Sequence, residues 1–293
     1  MLFANAVLAG IAVGSVYGLL AIGYTVIFSA TGVFNLAQGD LIMCAVMLSY
    51  VMLDLAHVPQ IVAFLVVIVG LPVLALIEER TVVRPFLSRG KYNIGWFIST
   101  LAFSLIVETV VTIWYGNNPP AAIPSPLPST AVRVGGLSLT WQQLLCVFAL
   151  VVVTVVLDLF YRRSWLGTAM RATSEDRDIA SLRGISPNRM SALAFAISGL
   201  LAGIAGFVIA PILFADPTIG LTYSVKGFIA LAIGGFGSMR GAIVGGLALG
   251  IGEQLFDLYV SPQFEIVAGL ILLAATLTFF PRGVFGGRGV RTV

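Results

Sequence analysis

The chain has 293 residues, of which 59% are hydrophobic and 10% are charged, and its mean hydropathy is +1.04. This composition leaves too little polar surface to enclose a water-soluble core, so it excludes an ordinary soluble globular protein. The net charge of +3 comes from basic residues scattered along loop edges without an aromatic surface, which argues against a nucleic-acid partner. The sequence predicts a multi-pass protein in a lipid bilayer.

Long apolar segments predict an all-α fold, a polytopic bundle of about eight to nine membrane segments. A helix needs roughly 20 apolar residues to cross a bilayer, and long runs of Val, Leu, Ile, Ala and Phe do not fit the alternating strands of a β-barrel. In chain order the predicted segments are 5–28, 37–54, 60–79, 93–115, 141–160, 190–214, 222–258 and 263–280. The whole chain, 1–293, is expected to form one transmembrane domain.

The segment 222–258 is too long for one crossing. Its glycine-rich stretch 234–241 predicts a break into two shorter helices, because glycine tolerates backbone conformations that end a helix. The two pieces form either two crossings or one re-entrant excursion, and the sequence does not choose between them.

The positions of lysine and arginine predict the orientation, because cytoplasmic loops retain positive charge. The loop 80–92, the arginine-rich loop 161–189 and the C-terminal tail hold 13 of the 16 basic residues, which places them in the cytoplasm. The connection 116–140 then faces outward, as does the N-terminus. Five prolines within 118–128 favour a stiff extended segment there, which is either a docking edge or a spacer.

Ionisable residues within apolar segments are costly and raise a functional question. Asp40 is either stabilised at a helix N-terminus, with Asn35 as a cap, or lines a pathway. Glu108 and Glu253 either pair with a neighbouring helix or partner subunit or take part in transport, and neither has an obvious local cation. The sequence leaves open the roles of two further residues, Lys226 and Arg240.

The two halves of the chain contain similar interruptions. A polar stretch, 35–40, precedes a short helix at 41–54, and a glycine-rich stretch, 237–241, precedes one at 242–257. Paired broken helices in corresponding positions point to a transport site between repeats. The predicted pathway residues are Asn35, Gln38, Gly39, Asp40, Gly237 and Ser238.

The arginine-rich loop contains a predicted amphipathic helix over 173–184. Thr173 or Ser174 is its expected N-cap and Gly184 its expected C-terminal glycine. Ile179 and Leu182 project from it as an apolar ridge. The loop is either a solvated linker or a dock for a soluble partner, and the caps of a compact helix favour the dock.

No phosphate-binding loop of the form Gly-x-x-x-x-Gly-Lys-Ser/Thr occurs in the sequence. Any ATP-derived energy must therefore come from a separate subunit. The single histidine and two cysteines support neither a metal site nor a catalytic triad, so we expect no enzyme activity and no cofactor in this chain.

Four stretches together resemble the membrane permeases of bacterial ABC importers of the branched-chain amino acid type. They are GSVYGLLAIGYT at 14–25, FNLAQGD at 34–40, GTAMRATSEDRDIASLRGI at 167–185 and GGFGSMRGA at 234–242. The resemblance implies a permease subunit of the bacterial inner membrane that pairs with a second homologous permease. It also implies two cytoplasmic ATPases, which bind ATP and Mg²⁺, and an outer substrate-binding protein.

The same resemblance makes 173–184 the helix that couples to the ATPases. Its implied coupling residues are Thr173, Ser174, Glu175, Asp176, Ile179, Ala180, Leu182, Arg183 and Gly184. Gln38 and Arg240 stand where the family more often has histidine and a neutral residue, so the substrate stays open among branched-chain or hydrophobic amino acids, urea, amides and aromatic acids. The alternative function is an ion-coupled secondary transporter in which Asp40, Glu108 or Glu253 carries the ion.

Overall fold

The computed structural model describes residues 2–87, 95–116, 118–125, 127–128, 131–134 and 137–286. These residues form a bundle of helices, which confirms the all-α prediction. Among them, eight helical segments are long and apolar enough to cross a membrane, and a ninth apolar helix is shorter. The predicted number of about eight to nine segments is therefore confirmed.

The elements follow the predicted apolar segments, with boundaries that shift by up to five residues. In chain order the helices are α1 (Leu2–Thr31), α2 (Gln38–Tyr50), α3 (Gln60–Glu78), α4 (Arg84–Leu87), α5 (Gly95–Tyr115), α6 (Trp141–Arg163), α7 (Trp165–Glu175), α8 (Arg177–Leu182), α9 (Pro187–Ile209), α10 (Ile219–Gly234), α11 (Met239–Tyr259) and α12 (Glu265–Phe279). Two π-helical turns extend α2 and α3, namely Val51–Leu55 and Glu79–Val83. A 3₁₀ turn, Pro262–Phe264, precedes α12.

Short strands connect the helices at one end of the bundle. Strand β1 (Ala121–Ala122) pairs antiparallel with β4 (Phe214–Ala215), and β2 (Ala131–Val134) pairs antiparallel with β3 (Leu137–Thr140). The described part of the proline-rich connection contains no helix, as its prolines predict.

The break in the seventh segment is confirmed. Gly235 and Gly237 have φ angles of +103° and +77°, which favour glycine, and they separate α10 from α11. The two helices pack antiparallel, with Gly234 against Gly241 and Ala230 against Gly245. Helix α10 has 16 residues, so it is about 24 Å long and shorter than the hydrocarbon layer.

The two ends of the bundle differ in charge. One end, called here the basic end, carries the arginine-rich loop and the last described segment, whose Val284 and Phe285 N–H groups donate to the Ile233 and Gly234 carbonyls. The other end carries the start of α1, where the Ser138 N–H donates to Asn5 Oδ1. The first and last described residues therefore lie at opposite ends. Four basic residues that are predicted to face the cytoplasm lie outside the described residues, namely Arg89, Lys91, Arg288 and Arg291.

Helix α1 is the centre of the bundle, and glycines let α11 approach it closely. A Cβ added at Gly14 would lie 2.8 Å from the Gly246 carbonyl oxygen, and one at Gly246 would overlap the Gly18 backbone. Gly250 contacts Gly10 and Gly14 in the same way. Small residues at such crossings allow backbone contact, which is a main source of helix association in a membrane.

We expect Gly246→Ala to destabilise the bundle by about 1–3 kcal/mol, because the new methyl group meets backbone that cannot yield. The measurement is the thermal unfolding midpoint of the protein purified in mild detergent. Gly70→Ala in α3 is the matched control, since a Cβ there lies 3.6 Å from a flexible leucine terminus and alanine favours a helix. Equal midpoints for the two variants would contradict the tight α1–α11 contact.

Candidate functional site

The arginine-rich loop folds as two short helices, α7 and α8, where one helix is predicted. Asp176 between them has an extended backbone, with φ −151° and ψ 113°. Its carboxylate accepts hydrogen bonds from the Asp178 and Ile179 N–H groups at 2.9 and 3.1 Å. Asp176 is therefore the N-cap of α8.

The predicted caps Thr173 and Ser174 are wrong. The Thr173 hydroxyl donates to the Ala169 carbonyl at 2.7 Å, and the Ser174 hydroxyl donates to the Arg171 carbonyl at 2.9 Å. Both residues lie inside α7, which ends at Glu175, and their hydroxyls bond back into that helix. Neither residue therefore occupies the N-cap position of α8. Ser164 caps α7 instead, by accepting from the Leu166 N–H.

The predicted end of the helix at Gly184 is confirmed. Gly184 has φ +80°, its N–H donates to the Ser181 carbonyl, and the Ile185 N–H donates to the Ala180 carbonyl. This is a Schellman motif, which needs a left-handed residue at this position.

A groove of about 390 Å³ lies between α7 and α8. Trp165 and Ile179 line it and are 67% and 54% exposed, and Leu182 beside it is 86% exposed. Ala180 lies at its base and is buried. Large apolar side chains exposed together outside the membrane-spanning helices mark an interaction surface. We call this surface the docking groove.

The docking groove is fixed to the membrane helices by close backbone packing. A Cβ at Gly167 of α7 would lie 2.7 Å from the Tyr161 Cα of α6. Tyr161 also shares a 3.0 Å hydrogen bond with Ser29 of α1, and Met170 is fully buried. Helix α7 is therefore attached to α1 and α6 along its length.

Arg177 attaches α8 to the bundle. Its guanidinium donates to Asn188 Oδ1 at 3.3 Å and is attracted by the Glu79 carboxylate, which is buried in the π-turn after α3. Partial burial lowers the pKa of Arg177, and the nearby carboxylates of Glu79 and Asp178 oppose this shift. The loop is therefore linked electrostatically to the π-turn that follows α3.

The segment 32–37 is irregular backbone that enters the bundle after the exposed Gly32, and the polar groups of its buried part need internal partners. Asn35 supplies two of these bonds: its Oδ1 accepts from the Ala37 N–H at 2.9 Å, and its Nδ2 donates to Glu78 of α3 at 3.0 Å. Helix α2 begins at Gln38 with Ala37 at the N-cap, so the prediction that Asn35 caps it is wrong. The amide instead links this segment to α3.

Two serines of distant helices form hydrogen bonds with polar groups at the start of α2. The Ser198 hydroxyl of α9 donates to Gln38 Oε1 at 2.8 Å. The Ser224 hydroxyl of α10 accepts from the Gly39 N–H at 2.9 Å and donates to the Leu36 carbonyl at 2.7 Å. Gln38 and Gly39 are thereby tied to two helices of the second half of the chain.

Asp40 is buried against Gly220, where a Cβ would overlap its carboxylate. Among the described residues no donor lies in hydrogen-bond geometry to either carboxylate oxygen. The Ser104 hydroxyl of α5 lies close to the carboxylate as a hydrogen-bonding group, and the Glu108 carboxylate of α5 is close enough to repel its charge. Asp40 is thus a buried acceptor with unused capacity.

Gly237 and Ser238 lie elsewhere, on a cavity of about 570 Å³ at the basic end. Neither Asn35, Gln38, Gly39 nor Asp40 lines that cavity. An aromatic cluster of Phe28, Phe34, Phe228 and Phe236 lies beside the glycine-rich break. The two predicted pathway stretches therefore approach each other through Phe34 and Phe236, although they do not line one common cavity.

Lys226 of α10 is the centre of a buried ion cluster. Its ammonium lies 3.2 Å from Glu253 of α11 and 2.6 Å from Glu265 of α12, and it donates to the Tyr17 hydroxyl at 2.9 Å. Tyr17 in turn donates to Glu253 at 2.8 Å. The expectation that Glu253 pairs with a neighbouring helix is confirmed. In the described ranges, no group of three or more His, Cys, Asp or Glu residues is placed to hold a metal ion.

The sequence model of the family described as the branched-chain amino acid transport system permease component matches residues 6–276. The chain belongs to this family. The high-affinity branched-chain amino acid transport system permease proteins BraD of Pseudomonas aeruginosa and LivH of Escherichia coli K12 are each 32% identical to it, over 97% of this chain and 96% of the relative.

A solved structure, PsaBC from Streptococcus pneumoniae in complex with Fab, matches the permease with a TM-score of 0.52 and 13% identity. The match covers 96% of the permease and 92% of that chain. At this identity the likeness concerns the fold, and it agrees with a helical bundle over the whole chain.

Several residues of the site were not predicted from the permease sequence. Trp165 follows a pair of arginines and belongs to no recognisable sequence motif. Ser198, Ser224 and Glu78 are distant in sequence from the segment 32–40 and contact it only in the folded bundle. The amphipathic spacing of Trp165, Thr168 and Ala172 in α7 was the one local signal available. Coupling and pathway roles for the predicted residues stay predictions.

Lys226→Met is expected to destabilise the permease by about 3–5 kcal/mol, because it leaves the Glu253 carboxylate buried without its cation. Lys226→Met combined with Glu253→Gln is expected to recover part of that loss. Thermal unfolding of the detergent-purified variants measures both effects. If the double variant were no more stable than Lys226→Met, the pairing of these two residues would not be the origin of the loss.

Proposed function

We propose that the permease is the membrane subunit of an ATP-driven importer for branched-chain or similarly hydrophobic amino acids. The family and the names of its relatives support this substrate class. The proposed complex contains two homologous permeases, two cytoplasmic ATPases and an outer substrate-binding protein. It lies in the bacterial inner membrane with the permease N-terminus outside and the C-terminus in the cytoplasm, as the basic loops favour.

The ion-coupled alternative is not supported by the relatives, which are permease components of transport systems. Glu253, one of its proposed ion carriers, is held in the ion cluster by Lys226 and Tyr17. This leaves Glu253 a structural role between α1, α10 and α11.

The docking groove is the observation that carries the proposal. Its exposed residues Trp165, Ile179 and Leu182 would receive apolar side chains of the ATPase. The polar residues on either side of α8, within the range Glu175 to Gly184, would surround that contact. Two of the predicted coupling residues, Thr173 and Ala180, are buried, so they would support the helices without touching the ATPase.

Two connections would carry ATPase movement into the membrane. Helix α7 is packed on α1 and α6 through Gly167 and Tyr161, so it would move as a rigid lever. The Arg177 charge is attracted by the Glu79 carboxylate, and the adjacent Glu78 accepts a hydrogen bond from Asn35. A shift of α8 relative to α3 would thus act on the segment 32–37.

The proposed pathway runs beside Asn35, Gln38, Gly39 and Asp40. These groups are buried in this structure, so the pathway would open when α2 separates from α9 or α5 during alternating access. The unpaired carboxylate of Asp40 suits the ammonium of an amino acid. Gly237 and Ser238 line a different cavity in this structure, and their pathway role stays a prediction.

Ile179→Asp combined with Leu182→Asp is expected to release the ATPases, because charged side chains cannot enter an apolar contact without a large desolvation cost. Pull-down from native membranes, with quantification of phosphate-loop ATPases, measures the effect. We expect recovery to fall by at least about tenfold, which corresponds to about 1.4 kcal/mol.

The control is Asn188→Asp, which adds a negative charge to the same loop on a residue outside the groove. It retains an acceptor for Arg177 and is expected to keep the ATPases bound. Retained binding in the groove variant, with unchanged membrane yield, would remove the docking groove from the proposal.

Asp40→Asn is expected to reduce amino acid uptake by about tenfold while the complex still assembles, since it removes the charge offered to the substrate but keeps the side-chain shape. Glu108→Gln, a neighbouring half-buried carboxylate, is the control. Uptake of labelled leucine into proteoliposomes, normalised to assembled complex, measures both. Unchanged uptake by Asp40→Asn would return Asp40 to a structural role in α2.

A further inference from the structure

The cavity of about 570 Å³ at the basic end has a lining that combines arginines with hydroxyl groups. Arg162, Arg171 and Arg240 come from three different helices. The hydroxyls belong to Thr25, Ser29, Tyr161 and Ser238. The Thr25 and Ser29 hydroxyls already donate to the Ala21 and Val26 carbonyls, and the Tyr161 hydroxyl bonds Ser29. The donors left for a ligand are the arginines and the Ser238 hydroxyl, which together suit a phosphate group.

Two of these arginines have unbalanced charge. Arg162 is paired with Asp158 at 2.8 Å, and Asp158 is the one acidic residue on the cavity. Arg171 stacks over the Tyr161 ring at 5.3 Å. Within the described part of the chain neither Arg171 nor Arg240 forms a salt bridge, so the cavity has an excess of two positive charges.

An apolar groove of about 280 Å³ continues from the cavity between α6 and α11. The two share Asp158, Arg162, Met239 and Arg240, and the groove adds Val155, Leu159 and Ile243. Val155 and Leu159 are 52% and 46% exposed on a helix long and apolar enough to span the membrane. The groove therefore opens toward the hydrocarbon of the bilayer.

We propose that this cavity and groove bind an anionic phospholipid of the leaflet at the basic end. Arg171, Arg240 and the Ser238 hydroxyl would hold the phosphate of the headgroup, and the α6–α11 groove would hold one acyl chain. A free phosphate would use the polar cavity alone, whereas a lipid uses both parts. The bound lipid would join α7, which carries the docking groove, to the start of α11.

The test measures lipid retention and affinity on the full permease purified with its partners in mild detergent and then stripped of lipid. The probe is dioleoyl phosphatidylglycerol, compared with dioleoyl phosphatidylcholine and with inorganic phosphate. Arg171→Gln combined with Arg240→Gln is compared with Arg163→Gln combined with Arg189→Gln. The control pair removes the same charge from exposed arginines off the cavity.

We expect phosphatidylglycerol to bind the cavity variant about 30-fold more weakly than the parent, since each arginine near a lipid phosphate contributes about a factor of five. The control variant is expected to bind phosphatidylglycerol as tightly as the parent does. We also expect phosphatidylcholine and inorganic phosphate to bind the parent far more weakly than phosphatidylglycerol.

An equal loss of phosphatidylglycerol affinity in both variants, or no loss in either, would overturn the assignment of the lipid to this cavity. Binding of inorganic phosphate as tight as that of phosphatidylglycerol would overturn the lipid assignment. If lipid binds the isolated permease and is displaced when the ATPase or second permease joins, a protein partner occupies the cavity and the proposal fails. None of these outcomes depends on amino acid uptake, so failure here is distinguishable from failure of the proposed function.

Discussion

The contact of α1 with α11 is the constraint on which the rest of the bundle depends. Glycines 10, 14, 18, 246 and 250 bring two backbones together, which in a membrane takes the place of the hydrophobic effect as a source of association. Because α1 is enclosed, its other faces receive α6, α9, α10 and, at the basic end, α7. A docking surface outside the membrane is thereby attached directly to the central helix.

Irregular backbone at 32–37 is the second consequence of this arrangement. It returns the chain from the end of α1 into the bundle, where no water can satisfy its polar groups. Hydrogen bonds join this region to three helices. Asn35 bonds α3, and Ser198 of α9 and Ser224 of α10 bond residues at the start of α2 and just before it. A movement that separates these helices must break such bonds together, which makes the segment suited to two discrete arrangements.

Much of the fold could be predicted from the sequence because hydrophobic length and glycine breaks are local signals. The eight long apolar helical segments and one shorter apolar helix of the described residues, the break at 234–241 and the helix end at Gly184 were predicted. The cap at Asp176 was missed because Thr173 and Ser174 have an equally good local pattern but bond back into α7. The pairing of Lys226 with Glu253 was missed because it joins different helices 27 residues apart. The separation of Gly237 and Ser238 from Asp40 likewise depends on tertiary packing.

The central claim is that the permease moves an amino acid only when ATPases act on the docking groove. Its most direct test is uptake of labelled leucine into proteoliposomes that contain the purified complex and its binding protein, with ATP enclosed or with a proton or sodium gradient instead. The account predicts uptake with ATP and none with either gradient alone. Gradient-driven uptake by the permease without ATPases would contradict it.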